Sequence, residues 1–121
     1  MAEPTSDLPD RGGPAVRAVY DRVRALVLAE APDAFEKHYP TQSTVCFDLR
    51  RTDDFVYVRP SAGGLTLGFF FGVDLPDPHG LLRGSGRRMR SARVPADGSA
   101  DADLAALVRA ARDRALGVSG S

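Results

Sequence analysis

The 121-residue chain has no tryptophan, one cysteine (Cys46) and one lysine (Lys37), and its 16 acidic residues balance its 16 basic ones. A single cysteine excludes an internal disulfide, so we expect a reducing, cytoplasmic setting. Zero net charge argues against long-range attraction of the whole molecule to nucleic acid or to an anionic membrane. No apolar run approaches the ~20 residues that span a bilayer. The polar start, MAEPTSDLPDRGGP, does not resemble a secretory signal.

The length and the 43% hydrophobic content are typical of one globular domain. We assign this domain to residues 14–116. Residues 1–13 contain prolines and glycines without apolar periodicity, which predicts a disordered N-terminal tail. Residues 117–121 are small and polar and are predicted to be a C-terminal tail.

Helical periodicity occurs at both ends of the domain. After Pro14, apolar residues recur every three or four positions and predict a helix that ends before Pro32. A second stripe begins at Leu104, and Ser99 is the expected N-cap of that helix. We interpret the segment from Pro32 to Glu36 as a corner or one further helical turn.

Alternating apolar residues predict strands between the helices. The predicted strands are Val45–Leu49, Phe55–Val58, Leu65–Phe71 and Met89–Pro95, with a polar turn at Arg50–Asp54 and a hairpin connection at Ser61–Gly64. Consecutive strands with short links favour an antiparallel sheet, and two helices with one apolar stripe each cover one of its faces. The predicted fold class is therefore α+β: a two-layer sandwich with about four to six antiparallel strands and both terminal helices on one face.

The segment from Leu67 to Arg90, LGFFFGVDLPDPHGLLRGSGRRMR, carries the strongest family signal. It resembles the signature of the YdhG-like family, a domain of unknown function, and this resemblance implies a frataxin-like fold. Three polar positions depart from the family pattern: Phe71 stands where a basic residue is usual, Arg83 where an acid is usual, and Ser91 where histidine is common. These departures affect any ligand inferred from the family more than they affect the fold.

A ligand-binding site is predicted around the same segment, at Arg87, Arg88, Arg90, Asp77 and Phe70. Exposed glycine N–H groups beside arginines can bind an anion, although a tight turn leading into the last strand explains the same residues. Arg90 either pairs with Asp74 or Asp77 or lines a pocket.

The residues around the Pro-Asp-Pro loop carry two further expectations. Asp77 either caps the Pro78–Leu81 turn or pairs with Arg90, and Leu75, Leu81 and Leu82 are expected to be buried beneath the loop. Phe69 and Phe71 are expected to fill the core. Phe70, on the other face between two glycines, packs under a loop or floors a groove or dimer contact.

The frataxin-like resemblance also raises iron as an alternative cofactor. The carboxylates for such a site are Asp21, Glu30, Asp33, Glu36 and Asp48, with Asp53 nearby, but arginines are interspersed among them. Neither His38 nor His79 has metal-ligand spacing, and Cys46 has no histidine near it in sequence, so a small semi-buried side chain is the expected role of Cys46.

These patterns favour a non-enzymatic binding or interaction module without a cofactor. The expected partner is a small anion, another protein or a second copy of this chain, and neither a membrane nor nucleic acid is expected. The alternative is an iron-binding chaperone of the frataxin type.

Overall fold

A computed structural model describes residues 5–49 and 54–117, which form a five-stranded antiparallel sheet and two helices. The helices are α1 (Pro14–Glu30) and α2 (Asp101–Ala115), and the strands are β1 (Phe35–Tyr39), β2 (Thr44–Asp48), β3 (Asp54–Ser61), β4 (Gly64–Phe69) and β5 (Arg90–Val94). The strands lie side by side in chain order, so β1 and β5 are the sheet edges. The predicted α+β layout with an N-terminal and a C-terminal helix is confirmed.

Helix α1 begins and ends as its sequence predicts. Pro14 occupies the first turn, where its missing N–H removes no hydrogen bond, and the helix ends at Glu30, two residues before Pro32. Its buried residues recur at helical spacing and form one stripe against the sheet: Val16, Val19, Tyr20, Val23 and Val27. Each such side chain contributes about 1.5–3 kcal/mol through removal from water.

Helix α2 forms where predicted, but its N-cap residue is not the predicted one. Ala100, not Ser99, precedes the helix, and no side chain caps it. The Ser99 N–H instead donates to Asp97 2.9 Å away, because Asp97 and Gly98 form the turn before the helix. Asp101 and Asp103 lie in the first turn, where negative charge favours the helix dipole.

The corner predicted from Pro32 to Glu36 is present as a turn at Pro32 and Asp33, but strand β1 already begins at Phe35. Phe35–Tyr39 pairs antiparallel with β2, and Glu36 and His38 face the helices while Phe35 and Tyr39 face away from them. The sequence pattern misled because this strand is polar on its inner face and aromatic on its outer face, the reverse of the usual alternation.

The remaining strands alternate as expected. Phe47, Val56 and Leu67 lie on the face that the helices cover and are fully buried, and Cys46 and Tyr57 lie opposite one another on the other face. The hairpin between β3 and β4 turns at Ala62 and Gly63, inside the predicted Ser61–Gly64 connection.

The described part of the N-terminal segment is not a tail. Leu8–Asp10 forms a short 3-10 helix, and the Leu8 side chain is 0% exposed within the core beneath α1. One apolar side chain between polar residues and prolines creates no periodic pattern, which is why the sequence gives no sign of this contact.

Several predictions fall on residues that the structure does not describe. The turn predicted at Arg50–Asp54 lies outside the described residues except for Asp54, and the predicted C-terminal tail does so after Gly117. In the described ranges, no helix combines the length and the apolar character needed to cross a bilayer.

Candidate functional site

The face of the sheet away from the helices carries an open groove. Its volume is about 250 Å³, and residues from β1, β2 and β3, the β1–β2 turn and the loop between β4 and β5 line it: Tyr39, Gln42, Thr44, Cys46, Tyr57, Arg59, Phe70 and Met89. We call this the sheet groove. Strand alternation places Tyr39, Thr44, Cys46, Tyr57 and Arg59 on this face, because each stands one position from a residue that packs under the helices.

Tyr57 lies at the centre of the sheet groove and is only 6% exposed. Its ring lies against Gly68 on the neighbouring strand and meets Phe70 edge-to-face, with ring centres 5.3 Å apart at 67°. Arg59 lies over the same ring, with its Cζ atom 5.1 Å from the ring centre. These contacts fix the Tyr57 ring and give the groove an aromatic floor.

Of the described residues that line the sheet groove, Arg59 is the one with a charged side chain. Its Nε–H donates to the Thr44 hydroxyl 3.0 Å away, and that hydroxyl donates in turn to the Gln42 carbonyl at 2.8 Å. Within the described residues, the two terminal nitrogens of Arg59 make no hydrogen bond. The guanidinium is therefore held at one end and open at the other, an arrangement that suits an anion with two oxygens.

The charges of this neutral chain are unevenly distributed over its surface. Among the described residues, six arginines form no ion pair with a carboxylate: Arg59, Arg83, Arg87, Arg88, Arg90 and Arg93. We call these six residues the arginine surface. All of them belong to β3, β5 or the loop that precedes β5, and all but Arg90 are exposed. By contrast, the arginines of α1 and α2 are paired with carboxylates.

Neutral oxygen atoms orient four members of the arginine surface. Arg83 donates to the Gly80 carbonyl at 2.7 Å, and Arg90 donates to the carbonyls of Gly86 and Met89 at 2.6 and 2.7 Å. Arg93 donates likewise to the Gly63 carbonyl, and Arg59 to the Thr44 hydroxyl. Such bonds fix the side chains without cancelling their charge, so the surface stays positive.

The expected ion pair between Arg90 and a loop carboxylate does not form. Asp74 instead pairs with Arg114 at 2.8 Å, and Asp77 accepts the N–H groups of Leu81 and Leu82 at 2.8 and 2.9 Å. Asp77 thus accepts backbone N–H groups as predicted, although the turn that it stabilises is not helical. Arg90 bonds instead to the carbonyls of Gly86 and Met89.

The predicted ligand-binding residues separate into distinct groups. Phe70 floors the sheet groove, as one of its predicted roles required. Arg87 is exposed in the loop, and Arg88 lies 5.8 Å from the centre of the Phe71 ring. Phe71 was expected in the core, but it lies outside it because β4 ends at Phe69. Its ring lies under Arg114, with the ring centre 4.0 Å from the guanidinium carbon.

The loop between β4 and β5 packs against the start of α2. Leu75, Leu81 and Leu82 are half-buried against the core, so the burial that we predicted for them is only partial. A cavity of about 160 Å³ remains between the loop and α2, and His79 and Asp103 lie 3.3 Å apart at its wall.

The carboxylates of the alternative iron site do not form a cluster. Four of the five are each in an ion pair with a basic side chain: Asp21 with Arg17, Glu30 with Arg109, Glu36 with Arg24, and Asp48 with Lys37. The fifth, Asp33, is exposed, and Asp53 lies outside the described residues. In the part of the chain that is described, no three acidic, histidine or cysteine side chains come together as a metal site would require.

Glu36 is instead the centre of a partly buried polar network. It accepts hydrogen bonds from the Tyr20 hydroxyl at 2.5 Å, Arg24 Nε at 2.6 Å and His38 Nε2 at 2.9 Å. Burial alone would raise the pKa of Glu36, but these three donors outweigh it and hold the pKa below its usual range. Burial and the bond to Glu36 together raise the pKa of Tyr20. On its other side, the His38 ring bonds through Nδ1 to the Ser6 hydroxyl at 2.7 Å, which fixes the N-terminal segment.

The sequence pattern contained part of the signal for the sheet groove. Phe70 was placed on the face opposite the core, and the same alternation assigns Tyr57 to that face, between the buried Val56 and Val58. Arg59 was missed because the predicted strand stopped at Val58, whereas β3 continues to Ser61. Tyr39 and Gln42 were missed together with β1.

Comparisons with known proteins add no relative from which a function follows. No family model, no curated protein and no solved structure matches this chain.

Proposed function

We propose that this chain is a non-enzymatic binding module that recognises an anionic partner through the uncovered face of its sheet and the loop before β5. The partner is a small anionic ligand or an acidic surface of another protein. The main support for this proposal is the arginine surface. Among the described residues its six guanidinium groups have no carboxylate partner, whereas each helical arginine has one.

Electrostatics supports this assignment to one side of the molecule. Attraction between exposed charges decays over about 10 Å at 0.1 M salt. A ligand near β5 therefore interacts mainly with the arginine surface. Arg114 of α2, which lies over the same Phe71 ring as Arg88, is neutralised by its ion pair with Asp74. Zero net charge weakens attraction at long range, but it does not weaken binding at this surface.

The direct test is a binding titration with two labelled anions, inorganic tripolyphosphate and an oligoglutamate peptide. We expect saturable binding that weakens as salt is raised, and the double variant Arg87→Gln/Arg88→Gln should bind more weakly by about tenfold, since two charge-assisted contacts are lost. The matched control is Arg17→Gln/Arg109→Gln, which removes the same charge from helices where both arginines are paired.

Two results would overturn this proposal. One is the absence of binding to both anions at low salt, and the other is an equal loss of affinity in the two double variants. An oligonucleotide is included as a third probe, because tight binding to it would contradict the expectation that nucleic acid is not a partner.

A second copy of this chain remains a candidate partner, since the sheet groove lies on an uncovered face. Light scattering after gel filtration at increasing protein concentration tests this version. A mass that stays at that of one chain excludes self-association, and the partner is then a separate anionic molecule.

Membership of the YdhG-like family is also part of the proposal. Its support is the Leu67–Arg90 signature together with a five-stranded antiparallel sheet and two terminal helices, the layout that the resemblance implies. A cytoplasmic location is proposed on the single cysteine, Cys46.

A further inference from the structure

We propose that the sheet groove binds a small organic monocarboxylate, with the carboxylate on Arg59 and an apolar body over Cys46, Phe70 and Met89. This inference rests on the proposed binding function and names the ligand class for one part of the surface. It depends on the particular surroundings of Arg59, which differ from those of the other five arginines.

Arg59 is prepared for a two-oxygen anion. Its Nε–H is used by the Thr44 hydroxyl, and Tyr57 lies beneath the guanidinium plane 5.1 Å from its carbon. These two contacts leave the pair of terminal nitrogens available, and that pair matches the spacing of the two carboxylate oxygens. Because the side chain is already oriented, little of its conformational freedom is lost on binding.

The single positive charge of the groove favours a monoanion. Among the described lining residues Arg59 is the only ionised side chain, and Gln42, Thr44 and Tyr39 are neutral polar groups. A phosphate dianion is normally bound by several cationic or backbone N–H donors converging on one point. One guanidinium beside neutral groups is a better match for a carboxylate.

The rest of the lining and the volume limit the body of the ligand. Cys46, Tyr57, Phe70 and Met89 supply an apolar surface, and Met89 adapts its shape easily because its side chain is unbranched. A volume of about 250 Å³ lies just below the range of roughly 300–1,000 Å³ that is typical of ligand pockets. The groove therefore accommodates one ring or a short chain.

The test is a titration of the ¹⁵N-labelled protein with phenylacetate, monitored by two-dimensional NMR. We expect saturable shifts at the amides of Thr44, Cys46, Tyr57 and Arg59, with Kd in the millimolar range. The uncharged phenylacetamide has the same ring and should cause no saturable shift at these amides.

Two variants separate charge from geometry. Arg59→Gln should weaken phenylacetate binding by about tenfold or more, the change expected for loss of a charge-assisted contact. Arg59→Lys keeps the charge but lacks the planar pair of donors, so we expect an intermediate affinity. Arg109→Gln, on α2 where Arg109 is paired with Glu30, should leave the affinity unchanged.

The outcomes distinguish this inference from the proposed function. Absence of shifts at the groove amides, shifts that phenylacetamide reproduces, or an Arg59→Gln variant that binds equally well would each overturn it. If tripolyphosphate or oligoglutamate still binds in an Arg87- and Arg88-dependent manner, the proposed function stands without the carboxylate subsite. If none of the anions binds, both fail.

Discussion

The ring of Tyr57 lies directly against the backbone of Gly68 on the adjacent strand, in the space that a side chain at position 68 would occupy. The two residues are opposite one another in the β3–β4 register, so glycine at position 68 allows the aromatic ring to lie flat on the sheet. This contact explains why Tyr57, on the face that no helix covers, is nevertheless buried.

Gly68→Ala should therefore destabilise the protein by about 1–3 kcal/mol, the usual cost of overpacking. The Tyr57 ring has to move, and Phe70 and Arg59 pack against it. Urea denaturation measures the loss. Gly86→Ala is the matched control, because a Cβ there meets nothing within 4 Å and should change the free energy of unfolding by less than about 0.5 kcal/mol. Equal effects at the two positions would contradict the contact.

Asp77 and Arg90 should behave as independent sites. Asp77→Ala removes the acceptor of two backbone N–H groups and should cost about 1–2 kcal/mol. Arg90 bonds to carbonyls instead, so a double-mutant cycle with Arg90→Ala should give a coupling energy below ~0.5 kcal/mol. Urea denaturation of the wild type, the two single variants and the double variant gives this coupling energy. A larger value would support the ion pair between Asp77 and Arg90 that the sequence suggested.

The elements that the sequence predicted are those whose periodicity agrees with their burial. Helices α1 and α2 and the strands around Phe47, Val56 and Leu67 place apolar residues towards one core, so local spacing is sufficient to find them. β1 was missed because Glu36 and His38 occupy its inner face, where the buried network satisfies them.

The candidate site was harder to predict than the fold. The sheet groove gathers residues from three strands, a turn and a loop. The strand register that makes Tyr57 a neighbour of Cys46 and Gly68 is a long-range property. Sequence spacing concentrated attention on Arg87, Arg88 and Arg90, which are adjacent in the chain. These arginines lie in a stretch without acidic residues, whereas a long-range ion pair such as Arg109 with Glu30 could not be read from sequence spacing.

Leu8 should contribute to stability as a core residue. Leu8→Ala should cost about 2–5 kcal/mol, the range for deleting a fully buried leucine side chain. Val73→Ala is the control, because Val73 is 47% exposed and its truncation should cost less than about 0.5 kcal/mol. Thermal or urea unfolding of both variants measures these changes in stability. A Leu8→Ala protein as stable as the wild type would contradict the packing of Leu8 in the core and support a disordered tail over residues 5–13.

Glu36 should make the protein lose stability in acid. Its folded pKa lies below its unfolded value of about 4.3, so the unfolded chain takes up the proton first as the pH falls. The stabilisation is therefore fully present above about pH 5 and is lost as the pH falls through the folded pKa.

Urea denaturation between pH 3 and pH 6 provides the measurement for this prediction. Glu36→Gln should be less stable than the wild type at pH 6, and the difference should shrink towards pH 3 because the unfolded wild-type chain takes up a proton at Glu36 before the folded protein does. Asp33→Asn, at an exposed carboxylate, should follow the wild-type pH profile. A Glu36→Gln profile parallel to the wild type would show that Glu36 has no shifted pKa.

Cys46 offers a chemical probe of the charge in the sheet groove. It is the only cysteine, it is 5% exposed, and it lines the groove with Arg59. Its reaction with either 4,4′-dithiodipyridine, which is neutral, or dithiobis(nitrobenzoate), which is a dianion, should be much slower in the folded than in the unfolded protein.

The ratio of the two reaction rates tests Arg59 directly. Because Arg59 attracts the dianion, Arg59→Gln should lower the anionic rate relative to the neutral one by roughly threefold at low salt, with the difference vanishing near 1 M salt. Arg109→Gln, on α2 and away from the groove lining, should leave the ratio nearly unchanged. If Arg59→Gln alters both rates equally, its effect is on the opening of the groove rather than on its charge, and Arg59 is then no longer supported as the residue that selects an anion.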